Sequence, residues 1–227
     1  MKIIKSTLRW IVAVFFGSTI LAVVVFRFMP VPLTPLMLIR CYQQLQNGQE
    51  LKLRHTWVPL GQMSPHMYTA VMGSEDARFL EHHGFDFRAI QKAAEHNQKH
   101  RERQQHGAST VTQQTAKNVF LWPSRTWVRK GLEAYFTVLI ELMWGKDRIM
   151  EVYLDSIEMG DGVYGLEAVA QEVFHRPAAA LTREQCALIA ATLPNPRRFS
   201  AANPNSYVLT RRDRILREMR YLENLKN

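Results

Sequence analysis

The sequence predicts a mainly α-helical domain carried behind one N-terminal transmembrane helix. Three observations predict it. Apolar residues recur at helical spacing, helix caps stand where those stripes begin, and residues 11–26 contain no charge. Convincing alternating strands are scarce, and no internal repeat appears.

The elements follow in chain order. Counted over residues 8–28, the apolar segment reaches the roughly 20 residues that a bilayer requires. Lys2, Lys5 and Arg9 at its head put residues 1–7 in the cytoplasm and the bulk of the chain on the outer, periplasmic face. Trp10 marks the inner interface. A cleaved signal peptide is the competing reading, but the run is long for one and "RFMPVPLTP" offers no small-x-small site. A retained single-pass anchor in the cytoplasmic (inner) membrane is therefore expected. "PVPLTP" ends that helix, and residues 29–60 read as linker and juxtamembrane segment, with 36–60 too mixed to place.

The main domain is expected over residues 61–227. Ser64 followed by Pro65 opens a helix whose stripe runs Tyr68, Val71, Met72 and then Glu75. Residues 91–106 are polar, rich in Lys, Arg, His and Gln without apolar period, and read as a mobile surface segment. A longer helix is predicted over 127–144 with Val128, Leu132, Tyr135, Leu139 and Met143 on one face. Another follows over 146–154, and "GDGVYG" is a turn-rich interruption. Thr182 and Gln185 make a capping box for a helix that Pro194 stops. From Ser206 a basic amphipathic helix runs to the end, with Leu209, Leu216, Met219 and Leu222 inward and Arg211, Arg212, Arg214, Arg217 and Arg220 solvated or resting on anionic headgroups.

Twenty-nine Lys and Arg against 20 Asp and Glu give a net charge of +9, which calls for an anionic partner. Export weakens a nucleic-acid reading, as does Glu75 on an apolar stripe, and leaves the membrane surface and phosphorylated lipids as the natural anionic partners, with no nucleic acid expected. Two cysteines, Cys41 and Cys186, exclude a disulfide framework and leave a single bridge open.

The stretch "GASTVTQQTAKN" (107–118) is polar in a chain that is 47% hydrophobic. As a helix opened by Ser109 or Thr110, it stacks Ser109, Gln113 and Lys117 on one face with Gln114 beside them. Arg125, Arg129 and Lys130 follow. Several donors and cations above a helix N-terminus suit a pyrophosphate; a solvated face carries the same pattern. Glu75 ends an apolar stripe, where partial desolvation makes a carboxylate a better proton acceptor; pairing with Arg78 is the plainer alternative. Glu133 lies one turn after Arg129 and Lys130, so an ion pair explains it equally well. Two carboxylates flanking a cationic wall is a composition suited to glycosyl transfer.

Five stretches then occur in order: "EDARFLEHHG", "GASTVTQQTAKNVF", "RKGLEAYFTVLIE", "KDRIMEVYLDSIEMGDGVYGLEAVAQEVF" and "ALIAATLPNP". Together they resemble the peptidoglycan glycosyltransferases, in their monofunctional biosynthetic transglycosylase branch, over most of residues 64–204. The resemblance implies a lysozyme-like large lobe with a smaller membrane-facing jaw that includes residues 85–106. It implies polymerisation of lipid II, the acceptor 4-hydroxyl attacking a lipid-pyrophosphate donor with inversion. It makes Glu75 the general base, and Glu133 the group that assists pyrophosphate departure, directly or through a divalent ion (Mg or Mn). Ser109, Thr110, Gln113, Gln114, Lys117, Asn118 and Arg125 match substrate-binding positions, supported by Arg129 and Lys130. The implied partners are lipid II, the growing lipid-linked glycan, the membrane, and other cell-wall synthesis or division proteins. No transpeptidase domain follows the matched region, so linear glycan is the expected product.

The departures are few. Thr137 replaces the usual Ala, Asp155 an Asn and Val173 a Tyr, while Leu132 stands where some members carry Lys. Two rivals remain. A lysozyme-like hydrolase also needs two carboxylates but has little use for Lys117 and Arg125 beside them. An inactive membrane-anchored scaffold would be expected to have lost one of the glutamates. His82 reads as fixing the turn beneath Glu75 rather than as a catalyst or metal ligand.

Overall fold

The computed structural model describes residues 2–99 and 107–224. Helix α1 (Lys2–Phe28) contains a 24-residue stretch, Lys5–Phe28, long and apolar enough to cross a membrane. Helix α2 (Pro35–Gln46) begins with the Thr34 hydroxyl accepting from the Met37 N–H and with proline in its first turn. Strand β1 (Arg54–His55) leads to α3 (Pro65–Glu75) and α4 (Phe87–Lys99). Next come α5 (Val111–Phe120), α6 (Trp127–Met143) and α7 (Lys146–Ser156). A hairpin of β2 (Glu158–Gly160) and β3 (Val163–Tyr164) precedes α8 (Leu166–Phe174), α9 (Arg183–Thr192) and α10 (Ser206–Asn224). The protein is mostly helical, as its spacing predicts.

Two groups of helices share the core. Helices α3, α9 and α10 pack on one another, with Met67, Val71, Ile189, Ile215 and Met219 fully or almost fully buried. Helix α5 packs between α6 and α7, where the Phe120 and Phe136 rings stack at 4.5 Å. A fully buried aliphatic side chain contributes about 1.5–3 kcal/mol, so these residues outweigh exposed ion pairs such as Arg197–Asp161.

Helix α1 docks along α6. Phe15 and Phe16 flank Tyr135 at 5.9 and 5.6 Å, and the Thr19 and Tyr135 hydroxyls lie 2.8 Å apart. The Trp144 indole donates to the Val23 carbonyl at 2.8 Å. The Arg148 guanidinium donates to the Phe26 carbonyl at 2.8 Å and also to that of Met29, taking up acceptors that a helix end leaves without intrahelical partners.

Residues 29–60, expected as a linker, are folded onto the domain. Strand β1 pairs parallel to β3, and β2 pairs antiparallel to it, giving the order β1-β3-β2. A side chain at Gly162 would meet the Lys52 carbonyl at 2.4 Å, so only glycine lets this crossing close. The Val58 N–H donates to Asp155 and the Leu60 N–H to Glu151. Strands this short carry no readable alternation, which is why they escape a periodicity argument.

The polar segment 91–106 also departs from expectation. Residues 91–99 are helical within α4, while 100–106 lie outside the described residues. Helix α4 buries none of its residues, and Phe87 and Ile90 are exposed, so an apolar core stripe was never available to reveal it. On α6 the buried face is Glu133, Phe136, Thr137 and Ile140, displaced from the expected stripe; Val128 is exposed and Tyr135 meets α1. On α10, Met219 and Leu222 are buried as expected, joined by Val208 and Ile215 rather than Leu209 and Leu216. Cys41 and Cys186 are both free.

Candidate active site

The site forms where α3 stops. Ser64 precedes the first-turn Pro65, but its hydroxyl donates to the Leu181 carbonyl at 2.8 Å instead of capping α3. At the other end the helix terminates at Glu75, because Asp76 takes an extended φ of −157°. The Asp76 carboxylate accepts from His82 Nε2 at 2.9 Å and from the Val111 N–H at 2.9 Å. One buried carboxylate thus ties the end of α3 to the first turn of α5, where the helix dipole favours negative charge. His82 fixes this turn, as expected, and its carbonyl accepts from Lys146 Nζ at 2.7 Å.

Helix α5 opens with a capping box. The Thr110 hydroxyl accepts from the Gln113 N–H, and the Gln113 amide oxygen accepts from the Thr110 N–H. The Thr110 hydroxyl also donates to the Gly84 carbonyl at 2.6 Å. Gly84 sits at φ +85°, and a side chain there would meet Thr137 Cγ2 at 2.7 Å. Thr110 and Gln113 are buried and committed to holding this turn, so the stacked face of Ser109, Gln113 and Lys117 does not form as spacing alone implied.

Glu75 is half-buried and held from two sides. Gln114 Nε2 donates to its Oε2 at 3.1 Å, and Arg211 Nη2 donates to its Oε1 at 3.1 Å. Burial pushes the Glu75 carboxyl up, while the Gln114 hydrogen bond and the Arg211 charge pull it back. The plainer pairing with Arg78 is not made, since Arg78 bonds Glu81 and Asp86. The Tyr153 hydroxyl donates to the Gln114 amide oxygen at 3.4 Å, which fixes the amide with its donor toward Glu75.

From Gln114 a cleft of about 570 Å³ extends past Lys117, Asn118, Arg125 and Arg129, with Trp122 on its wall. Burial lowers the Lys117 ammonium, and the charge of Glu133 offsets this. Gln114 also lines a second cleft of about 550 Å³, which holds Glu75, Ser109, Tyr207 and Arg211. The carboxylate and the cationic groove therefore share one wall. Glu133, 3% exposed, accepts from Arg129 Nη1 at 2.5 Å and from Lys130 Nζ. Of the expected residues, the structure brings Gln114, Lys117, Asn118, Arg125 and Arg129 into one cleft, leaves Ser109 beside Glu75, and turns Lys130 to Glu133.

A family model described as "Transglycosylase" matches residues 43–220. The chain belongs to the transglycosylase family. Proteins named biosynthetic peptidoglycan transglycosylase are similar along nearly its whole length. One from Bacteroides thetaiotaomicron is 58% identical over 219 residues, covering 95% of this chain and 88% of that protein. One from Escherichia coli is 49% identical (92% and 85% covered), and one from Caulobacter vibrioides 48% (94% and 90%). The match begins at residue 43, in keeping with residues 43–60 being part of the folded domain rather than a linker.

In this transglycosylase the setting of Glu133 does not fit a divalent ion held by protein ligands. Both of its oxygens face cations already, and among the described residues no group of three His, Cys, Asp or Glu side chains is placed to hold a metal. Sequence reasoning missed three residues of the transglycosylase site. Arg211 and Tyr153 come from distant helices with no local signature. Asp76 had one, since it stands beside Glu75 and six residues before His82 in "EDARFLEHH".

Proposed function

We propose that this transglycosylase polymerises lipid II into linear peptidoglycan strands. The observation that carries the reading is a partly desolvated carboxylate, Glu75, sharing the Gln114 wall with a cleft lined by Lys117, Arg125 and Arg129. In this reading the lipid-pyrophosphate of the donor lies along those cations, with Asn118 as a further donor. The acceptor 4-hydroxyl oxygen attacks the donor anomeric carbon as its proton passes to Glu75. The bond from that carbon to the phosphate oxygen breaks, and lipid pyrophosphate leaves. One displacement inverts the anomeric centre. Glu133 acts by holding Arg129 and Lys130 in place, which assists departure without a metal step.

A hydrolase with paired carboxylates is disfavoured by the same geometry. A second carboxyl that protonates a leaving oxygen must be free to carry a proton, and Glu133 is held by two cations. Lys2, Lys5 and Arg9, in the first turns of α1, favour an N-terminus inside the cell and catalysis on the outer face of the cytoplasmic membrane, where the lipid-linked substrate and the growing strand reside.

The test uses the detergent-solubilised full chain, lipid II and two variants. The wild type is expected to form polymer that a muramidase digests. Glu75→Gln keeps the size of the side chain but removes the base, so turnover should fall about 100-fold or more with donor binding little changed. Lys117→Ala removes a charge-assisted contact of about 1.5–3 kcal/mol and should appear chiefly as weaker donor binding. Near-normal turnover in Glu75→Gln would refute the assignment of the base. Wild-type donor affinity in Lys117→Ala would return the groove to an ordinary polar face.

A further inference from the structure

Arg211 reaches Glu75 across 136 residues of sequence. Helix α10 crosses α3 so that Arg211 Nη2 lies 3.1 Å from Glu75 Oε1 and 3.4 Å from the Ser74 carbonyl. Among the described residues its buried Nε has no hydrogen-bond partner. The α3–α10 contact does not need it, since Val71, Ile215 and Met219 already supply the apolar packing there. We propose that Arg211 is a positioning residue for the base, holding the Glu75 carboxylate in its charged form and turned toward the acceptor.

This role of Arg211 rests on the transferase reading of Glu75. Two donors from two helices grip opposite oxygens, Arg211 on Oε1 and Gln114 on Oε2. A carboxylate has about four lone-pair sites, so a position remains for the incoming hydroxyl. Orientation is thereby set before substrate arrives. Charge is set as well, because a guanidinium stays protonated at every working pH and opposes the burial that would neutralise the base. Gln114 lowers the carboxyl as well, through its hydrogen bond, but brings no charge of its own.

The other charged groups near Glu75 do not replace Arg211. Asp76 follows it on the chain and disfavours the charged form. Lys117 on α5 feels the Glu75 charge, but the charges of Glu133, Arg129 and Lys130 act on it more strongly. Tyr153 on α7 is buried and neutral, its hydroxyl on Gln114. Arg214 lines the same cleft from α10 but makes no contact with Glu75. Across the remaining face, Arg78 is bonded to Asp86, and Arg88 and Lys92 stand on α4.

The experiment measures initial polymerisation rates against pH for the full chain and for Arg211→Gln, Arg211→Lys and the exposed control Arg217→Gln. Removing a charge at this distance should move the acid limb of Arg211→Gln up by about one pH unit, a loss of about tenfold on the part of the limb below both midpoints. Arg211→Lys should restore most of the limb position, and Arg217→Gln should overlay the wild type. A uniform loss at every pH, with the limb unmoved, would overturn the proposal and leave Arg211 structural. A parallel 13C titration of the Glu75 carboxyl keeps the two readings apart. Wild type that makes no polymer overturns the transferase reading, whereas an unchanged Glu75 midpoint in Arg211→Gln overturns this one.

Discussion

Asp155 shows what one side chain does in a setting that its neighbours in sequence do not announce. It is wholly buried on α7; Oδ1 accepts from the Val58 N–H at 3.2 Å, and Oδ2 has no hydrogen-bond partner among the described residues. Burial raises its carboxyl from the ordinary 3.8 to about 8. The folded state therefore keeps a proton that the unfolded state releases. Stability is fully present below about pH 4 and is lost as the pH rises to about 8, by an amount on the order of a few kcal/mol. Asp155→Asn should remove that slope, raising the melting temperature at pH 8 more than at pH 5. Parallel melting-versus-pH curves for wild type and variant would show that Asp155 is already charged in the fold. At this scale Glu75 was legible because it ends an apolar stripe within its own helix. Arg211 was not, since on α10 it reads as one arginine among five.

At the scale of elements, local chemistry set the helix starts. Both capping boxes, Thr110 with Gln113 and Thr182 with Gln185, form as their three-residue spacing predicts. The stripe on α6 was misread because that helix serves two partners. One face meets the core and the adjoining one meets α1, so apolar residues spread beyond a single stripe. The contact is a latch of two polar bonds, Thr19 to Tyr135 and Trp144 to Val23. Interhelical bonds of this kind contribute about 0.6 kcal/mol on average, up to about 1.7. Tyr135→Phe with Trp144→Phe should thus lower the melting temperature in detergent by a few degrees while leaving helical content unchanged. A melting point equal to wild type would mean that the Phe15 and Phe16 rings and the Arg148 bonds to the Phe26 and Met29 carbonyls hold α1 in place without them.

Across the whole molecule, α1 is largely exposed along its apolar span but tied to the domain by polar bonds. Carbonyls near the C-terminal end of α1 and just beyond it are taken by Trp144 and Arg148, so cutting the chain there would strip polar partners from α6 and α7. Membrane-extracted protein should accordingly carry an intact N-terminus, and protease added outside spheroplasts should digest the domain. A soluble form beginning after Pro30 would establish a cleaved signal instead. The sequence by itself determined the helical class, the membrane-length span, most helix starts and the residue types of a cationic groove. Those features depend on interactions within a few residues, so composition and spacing carry them. Only the tertiary structure decided that the Thr110 hydroxyl donates to the Gly84 carbonyl, that Asp76 ties α3 to α5, and that Arg211 meets Glu75. Which distant helices cross, and which side chain each crossing presents, is set by packing and chain topology that no local pattern records.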